Sequence, residues 1–415
     1  MTGIAYADFV DLDYEPAPED LVCTFRVTPA AGLDREAVAG RIASESSNGT
    51  WTELQVPGEV TALSATAFAM DGDEVRVAYP PALFESGNMA QILSCIAGNI
   101  LGMKAVERIR LLDCEWPESV ASGFPGPQFG TAVREEIFGV EDRPLTATVP
   151  KPKVGLSTDQ HAHVGYEAWV GGIDLLKDDE NLTDQAFNPF ADRLTESLAR
   201  RDEAEDETGE RKSYLVNVTG ETNTMLARAD EVAAQGGEYV MVDVVTAGWS
   251  AVQTVRERCA DLGLAIHAHR AMHAAFDRIE DHGVSMRCLA QVARLCGVDQ
   301  IHTGTAGLGK MDNEDTVGIN EWLAGDLHGL RDVLPVASGG LHPGVVPALL
   351  DAVGTTVCVQ AGGGVHGHPD GTRAGARALR AAIDASMDGE ALEARAEDVP
   401  ALAAALDTWG TDAPR

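Results

Sequence analysis

The sequence predicts an α/β protein in which a C-terminal (β/α)8 TIM barrel follows a smaller α+β N-terminal domain. Three observations carry that expectation. Eight short apolar runs recur after residue 145, at about the 20 to 35 residues that a strand-plus-helix unit occupies. A polar or glycine-rich patch follows each run. A breaker-rich crossing, Gly123-Phe-Pro-Gly-Pro-Gln128, separates this rhythm from an N-terminal stretch of mixed character.

Residues 1–125 read as the α+β domain. Residues 21–27 alternate like a half-buried strand, 34–44 read as a capped amphipathic helix, 75–79 as a strand and 88–101 as a helix. The barrel is expected over 126–400, with strands at 147–149, 172–176, 214–218, 239–245, 264–268, 300–302, 334–337 and 356–359. The patches behind them include Lys-Pro-Lys, Lys-Asp-Asp-Glu, Thr-Gly-Glu-Thr, His-Arg, Thr-Gly-Thr, Ser-Gly-Gly and Gly-Gly-Gly. A barrel gathers its chemistry at the C-terminal ends of all its strands, whereas a doubly wound sheet does so only near its switch point. The charge run over 200–212 is expected to be a solvated helix end and loop without function. Residues 401–415 form a short alanine-rich tail.

The 415 residues are enough for a barrel and a partner domain, and 45% hydrophobic content can fill the core. A formal charge of −34, from 65 acidic against 31 basic residues, argues against nucleic acid and anionic membrane as partners. Only six of the basic residues are lysines, at 104, 151, 153, 177, 212 and 310. A dense acidic surface poor in lysine suggests a salt-loving organism, whose high-salt cytoplasm screens the self-repulsion. Four of the six lysines fall in the motifs below. The seven cysteines show no Cys-x-x-Cys pair and read as reduced core residues of a cytoplasmic protein. The N-terminus carries no signal-peptide pattern, and the most apolar stretch, 89–103, is shorter than the ~20 residues needed to span a bilayer. A soluble protein is expected.

In the segment 171–180, Gly-Gly-Ile-Asp-Leu-Leu-Lys-Asp-Asp-Glu, Lys177 and Asp179 project to one side of an extended chain. Asp179 and Glu180 suit a hard cation such as Mg2+. An ammonium beside them either stays as a counter-ion or loses its charge; condensation with CO2 would turn the Lys177 amine into an oxygen-bearing carbamate and a third anionic ligand. Lys151 and Lys153 flank Pro152; two like charges at a desolvated site depress one pKa and suit a proton shuttle. His267, His269, Arg270 and His273 cluster after the fifth strand, with His269 placed for acid–base work, Arg270 for clamping a phosphate or carboxylate, and His273, by helical spacing, over His269. His302-Thr-Gly-Thr-Ala-Gly-Leu-Gly-Lys310 joins a strand-end histidine to a glycine-rich lid that ends in a lysine. It is not a Walker loop, because the spacing fails and Met311 follows the lysine. Ser338, Gly339 and Gly340, and then Gly362, Gly363 and Gly364, end the last two strands, where barrels build phosphate sites from bare backbone N–H groups.

With these residues assembled, the chain resembles the large subunit of ribulose-1,5-bisphosphate carboxylase/oxygenase, over roughly residues 15 to 390. The resemblance implies that Lys177 is the carbamylated lysine, with Asp179 and Glu180 as its fellow Mg2+ ligands, one cation per site. It implies that Lys151 is the catalytic proton-transfer lysine, His269 the catalytic histidine and Lys310 the lid lysine that stabilises the incoming carboxylate. Lys153, Arg270, His302, Ser338, Gly339, Gly340, Gln360, Ala361, Gly362 and Gly363 fall on substrate contacts. Glu45-Ser-Ser-Asn-Gly-Thr-Trp51 and Gly98-Asn99 resemble segments inserted into a neighbouring subunit's barrel, so that Thr50 and Trp51 touch a phosphate, Glu45 pairs with the lid lysine and Asn99 lies near the metal. Such sharing requires a homodimer or an assembly of dimers.

The type resembles the archaeal form III, which implies no small subunit and a role in recycling ribose from nucleotides. Val149-Pro-Lys-Pro-Lys replaces the plant-like Thr-Ile-Lys-Pro-Lys, so the substrate-binding threonine is either displaced to Thr148 or lost. The lid is one residue longer, Ala361 stands where phenylalanine is usual, and the tail has no counterpart of the plant segment that latches the lid. The implied reaction adds CO2 to ribulose 1,5-bisphosphate to give two 3-phosphoglycerate, with O2 as the competing substrate. The alternative is a carboxylase-like enolase or isomerase of the methionine-salvage type. Against it, Lys151, Lys153, Lys177, His269, His302 and Lys310 are all present.

Overall fold

The computed structural model describes residues 2–309 and 315–413. Its contacts divide the chain into two compact units. The first comprises Met1–Gly126, Met272–Cys296 and Asp326–Leu330; the second comprises Pro127–Ala271, Gly297–Gly325 and Arg331–Arg415.

The first unit is built on β1 (Thr2–Ile4), β2 (Leu21–Pro29), β3 (Leu54–Val56), β4 (Thr66–Asp71), β5 (Glu74–Tyr79) and β6 (Val106–Glu115). Strands β2, β4, β5 and β6 form an antiparallel sheet, and a two-residue strand, Gly283–Val284, adds to β6 in parallel. Alternation in β2 buries Cys23, Phe25 and Val27. Helix Arg35–Glu45 closes that side with Val38, Ala39, Ile42 and Ala43, and Asp34 caps it by accepting from the Ala37 N–H at 2.8 Å. The helix expected over 88–101 stops at Ile96, and a 3-10 turn takes over from Asn99 to Gly102. Gly98 lies so close to the Ser94 carbonyl that no side chain fits there.

Helix Met286–Cys296 was expected among the barrel's helices and clusters with the first unit instead. Its Gln291 donates to the Cys114 carbonyl at 3.1 Å, and Ser285 just before it donates to that of Leu112 at 2.7 Å.

In the second unit β7 (Leu145–Thr148), β8 (Leu175–Lys177), β9 (Ser213–Asn217), β10 (Tyr239–Asp243), β11 (Ala265–His269), β13 (Gln300–His302), β14 (Leu334–Ser338) and β15 (Cys358–Gln360) close into a parallel barrel, with Gly283–Val284 counted as β12 in chain order. All eight expected strands are present, each within a few residues of its sequence-based bounds. They are legible because parallel strands are buried on both faces and read as apolar runs. Inside the barrel Leu145, Ala147, Leu175, Leu215, Tyr239, Met241, Ala265, Leu334, Val336 and Cys358 form one core, which Val133 and Phe138 join.

Two expectations about the second unit need correcting. The charge run over 200–212 is not wholly solvated: helix Phe190–Thr208 continues through most of it, Arg201 is buried against Glu238 at 2.9 Å, and Lys212 is buried against Glu210 at 2.7 Å. Ion pairing is what makes the burial of these long cations tolerable. The supposed tail forms helix Pro400–Trp409, packed on helix Thr372–Asp388.

Candidate active site

A cavity of about 420 Å³ opens at the C-terminal ends of the barrel strands. Lys177 closes β8 with only 1% of its surface exposed, and its Nζ donates to the Asp178 carbonyl at 2.8 Å. Burial pulls its pKa down, against the opposing pull of Glu180, Asp243 and Asp179. Alternation along the chain then separates the acids. Asp178 faces away, between barrel and helices, where its carboxylate accepts from Arg193 Nε at 3.1 Å, Tyr214 Oη at 2.6 Å and the Asn217 N–H at 3.0 Å. Burial opposes its charge, yet Arg193 and His161 hold its carboxyl well below the usual range. Asp179 and Glu180 line the cavity.

Both lysines of Lys-Pro-Lys reach these acids. Lys151 Nζ lies 3.4 Å from Asp179 Oδ2, and Lys153 Nζ 3.5 Å from Glu180 Oε1. The Lys151 pKa falls, as expected, but burial is the main cause and the charge of Lys153 a lesser one. Glu180 is held at about 2: burial works against its charge, and the positive charge that His269, Lys177 and Lys153 can carry outweighs it.

His269 ends β11 with Nδ1 2.9 Å from Asp243 Oδ1 and Nε2 3.7 Å from Glu180 Oε2. Burial and then Lys177 depress its pKa, while Asp243 resists. Asp243, at the end of β10, thus orients His269. Met272 takes φ +73°, so the chain between 269 and 273 does not follow the helical spacing assumed. His267 and His302 meet at 2.9 Å between their Nε2 atoms, flanked by Gln300 Oε1 on His267 Nδ1 at 3.0 Å and Ser338 Oγ on His302 Nδ1 at 2.6 Å. Burial holds both imidazoles neutral. A directed line of hydrogen bonds follows, with Ser338 donating to His302, His302 to His267, and His267 to Gln300.

Most glycines of the last two loops answer to backbone conformation or close approach. Gly339 and Gly340 take φ +119° and +94°. A Cβ on Gly362 would lie 3.1 Å from Lys151 Cε, and one on Gly364 would collide with the Leu341 carbonyl. The lid stem is packed likewise, because Gly309 leaves no room for a side chain against the Gly339 carbonyl. Lys310 lies outside the described residues.

Of the candidates, Lys151, Lys153, Lys177, Asp179, Glu180, His269, His302, Ser338, Gly339, Gly340, Gln360, Gly362 and Gly363 share the cavity lining. Arg270 and Ala361 are buried at the ends of β11 and β15. Thr148 is buried and its hydroxyl donates to the Ala361 carbonyl at 2.7 Å, so it does not stand in for a substrate-binding threonine. Glu45, Thr50, Trp51 and Asn99 belong to the first unit, where Glu45 Oε1 accepts from Tyr6 Oη at 3.1 Å and Trp51 is 80% exposed.

Sequence reasoning missed Asp243, His342 and Trp409. Asp243 had a signal, as a single acid two residues beyond the inward-facing Met241. Trp409, which lines the cavity from the last helix, had none. No three His, Cys, Asp or Glu side chains among the described residues form a ready metal cluster. No described helix is long and apolar enough to cross a membrane.

Comparison with known proteins gives consistent matches. The family described as "Ribulose bisphosphate carboxylase large chain, catalytic domain" matches residues 130–409, and the corresponding N-terminal domain matches 8–120. The chain is 53% identical to a ribulose bisphosphate carboxylase of Pyrococcus abyssi, over 99% of this chain and 98% of that one. Its structure resembles octameric ribulose-1,5-bisphosphate carboxylase/oxygenase from Pyrococcus horikoshii, with a TM-score of 0.95, 51% identity and coverage of 99% and 98%. It also resembles a dimeric archaeal enzyme of that kind from Hyperthermus butylicus, with a TM-score of 0.91, 44% identity and coverage of 98% and 99%.

Proposed function

The chain belongs to the ribulose bisphosphate carboxylase large-chain family, and from that premise we propose that Lys177, Asp179 and Glu180 form a Mg2+ site completed when CO2 condenses with the lysine. Its activity is the carboxylation of ribulose bisphosphate. One observation carries the metal reading: a buried amine with a depressed pKa sits beside two cavity-lining carboxylates. A neutral amine is the form that attacks CO2, losing a proton as the N–C bond forms. The product adds oxygens to a donor set that, with nitrogen, suits Mg2+ poorly. Bound there, Mg2+ would stabilise negative charge developing on the substrate's oxygens.

The chain's own groups would do the rest. Ser338 and the backbone N–H groups of Gly339, Gly340, Gly362 and Gly363 hold phosphate, with Lys153, Arg270 and His302 as further contacts. His269, oriented by Asp243, moves protons at the ketose carbons. Lys151 protonates the carbanion left when the carbon–carbon bond breaks. Lys310 meets the incoming carboxylate. We infer a homodimer or assembly of dimers in which a neighbouring copy supplies Glu45, Thr50, Trp51 and Asn99; both octameric and dimeric forms occur among the structural relatives named above.

Oxygenation as a side reaction, the form III type, service in nucleotide and ribose recycling and a cytoplasmic setting belong to the same proposal. The net charge of −34 supports work at high salt; this rests on the chain alone, since the relatives come from archaea that are not halophilic. The test is CO2-dependent phosphoglycerate formation with and without Mg2+, paired with 13C NMR of protein equilibrated with 13CO2. A carbamate signal that disappears in Lys177→Ala is expected. Enolisation without fixation would instead point to the methionine-salvage chemistry.

A further inference from the structure

The hydroxyl of Thr148 leads to a residue with no part in the mechanism above. Thr148 ends β7, three positions before Lys151, and is buried. Its hydroxyl is 2.7 Å from the Ala361 carbonyl and 2.9 Å from His366 Nε2, while His366 Nδ1 is 3.1 Å from Thr372 Oγ1. A hydroxyl has one proton, and only Thr148 can donate to the carbonyl. Thr148 Oγ1 must therefore accept from His366 Nε2–H, which leaves Nδ1 to accept from Thr372. Burial, then the charges of Lys151 and His161, push the His366 pKa down to about 3, so the imidazole is neutral and this single tautomer persists.

The chain of bonds lies where the sheet ladder gives out. The ladder's last contact is the Ala361 N–H donating to the Ala147 carbonyl at 3.0 Å. Beyond it, the next backbone group of the phosphate loop, the Ala361 carbonyl, is held by the Thr148 side chain. Gly362 comes next and faces Lys151, whose Cε would lie 3.1 Å from a Cβ at that position, a tight fit. Drift of Ala361 would carry Gly362 with it, alter its fit against Lys151 and displace the N–H groups of Gly362 and Gly363.

We propose that His366 is a positioning residue for carboxylation: through Thr148 it fixes the glycine loop that binds a substrate phosphate, and with it the place of Lys151. The inference rests on the phosphate-site reading of that loop. It also explains how β7 manages without a threonine at 149: the hydroxyl one position earlier serves the loop instead of the substrate.

The test is a double-mutant cycle in the full-length enzyme with Thr148→Val and His366→Leu, reading KM for ribulose bisphosphate, kcat and melting temperature. A net hydrogen bond is worth about 0.5–1.5 kcal/mol, so each single variant should raise KM roughly two- to twelvefold, with a smaller loss in kcat. The double variant should be no worse than the poorer single, and Thr148→Ser, which keeps the hydroxyl, should recover most of the KM. Unchanged KM in both folded variants, or effects that multiply in the double, would overturn the proposal. Should His366→Leu fail to fold, Thr372→Val cuts only the outermost bond. A KM rise of about twofold is then expected, and none counts against the proposal. Parent enzyme that fixes CO2 with KM unmoved in the variants defeats the positioning role alone. Parent enzyme that fixes none defeats the carboxylase reading and this inference with it.

Discussion

The floor and the mouth of the barrel are built from the same strands and differ by one pleat. Inward-facing Leu175 is followed two residues on by Lys177, Leu215 by Asn217, Met241 by Asp243, Val336 by Ser338 and Cys358 by Gln360. A step of about 7 Å thus takes each of these five strands from apolar packing to polar chemistry. The floor gains free energy by leaving water, and the mouth spends some of it holding two imidazoles buried and neutral and an amine buried with its pKa pulled down. Stability and reactivity are therefore segregated along the barrel axis, which makes the difference testable from either end.

The largest effect is expected at the mouth. Lys177→Ala should lower carboxylation by at least about 10³-fold, while the melting temperature holds or rises because a costly buried amine is gone. Equal loss of both, read by assay and calorimetry, would erase the distinction. At the floor, Leu215→Ala should cost about 2–5 kcal/mol in denaturant unfolding, with kcat/KM per folded molecule unchanged.

Asp243→Asn sharpens the boundary, since Asp243 supports His269 without facing it from the floor. A fall in kcat of roughly 10- to 100-fold is expected. The Asp243 carboxylate favours protonated His269, so its removal lowers that pKa further. The acid limb of kcat/KM should then move to lower pH, and a move to higher pH would contradict the assignment. The smallest effect belongs to neither end. Raising KCl should lift the melting temperature by a few degrees through screening of the −34 charge, measured by thermal scans at fixed pH.

The barrel was legible because strands buried on both faces leave uninterrupted apolar runs, and Lys177 because a chain with six lysines does not scatter them freely. Asp243 was hidden inside such a run, where one acid looks like an interruption. Parity along 177–179 correctly paired Lys177 with Asp179, yet it could not say that Arg193, thirteen residues beyond Glu180, waits for Asp178. Helix Met286–Cys296 has the apolar pattern of a barrel helix, and pattern alone does not choose which sheet a helix covers. Trp409 reaches the cavity through tertiary packing alone.

The opposite facing of Lys177 and Asp178 has an evolutionary consequence. Insertion or loss of one residue within β8 would exchange their places, sending the amine among the helices toward Arg193 and the ion-paired acid into the cavity. No substitution nearby could repair that. Beyond Glu180 the constraint changes in kind, because the carbonyls of Thr183 and Asn188 hold the same Arg193 at 2.6 and 2.7 Å. Homologous chains should accordingly almost never carry a gap inside β8, and a loop graft intended to retune the enzyme should leave this strand and its arginine together.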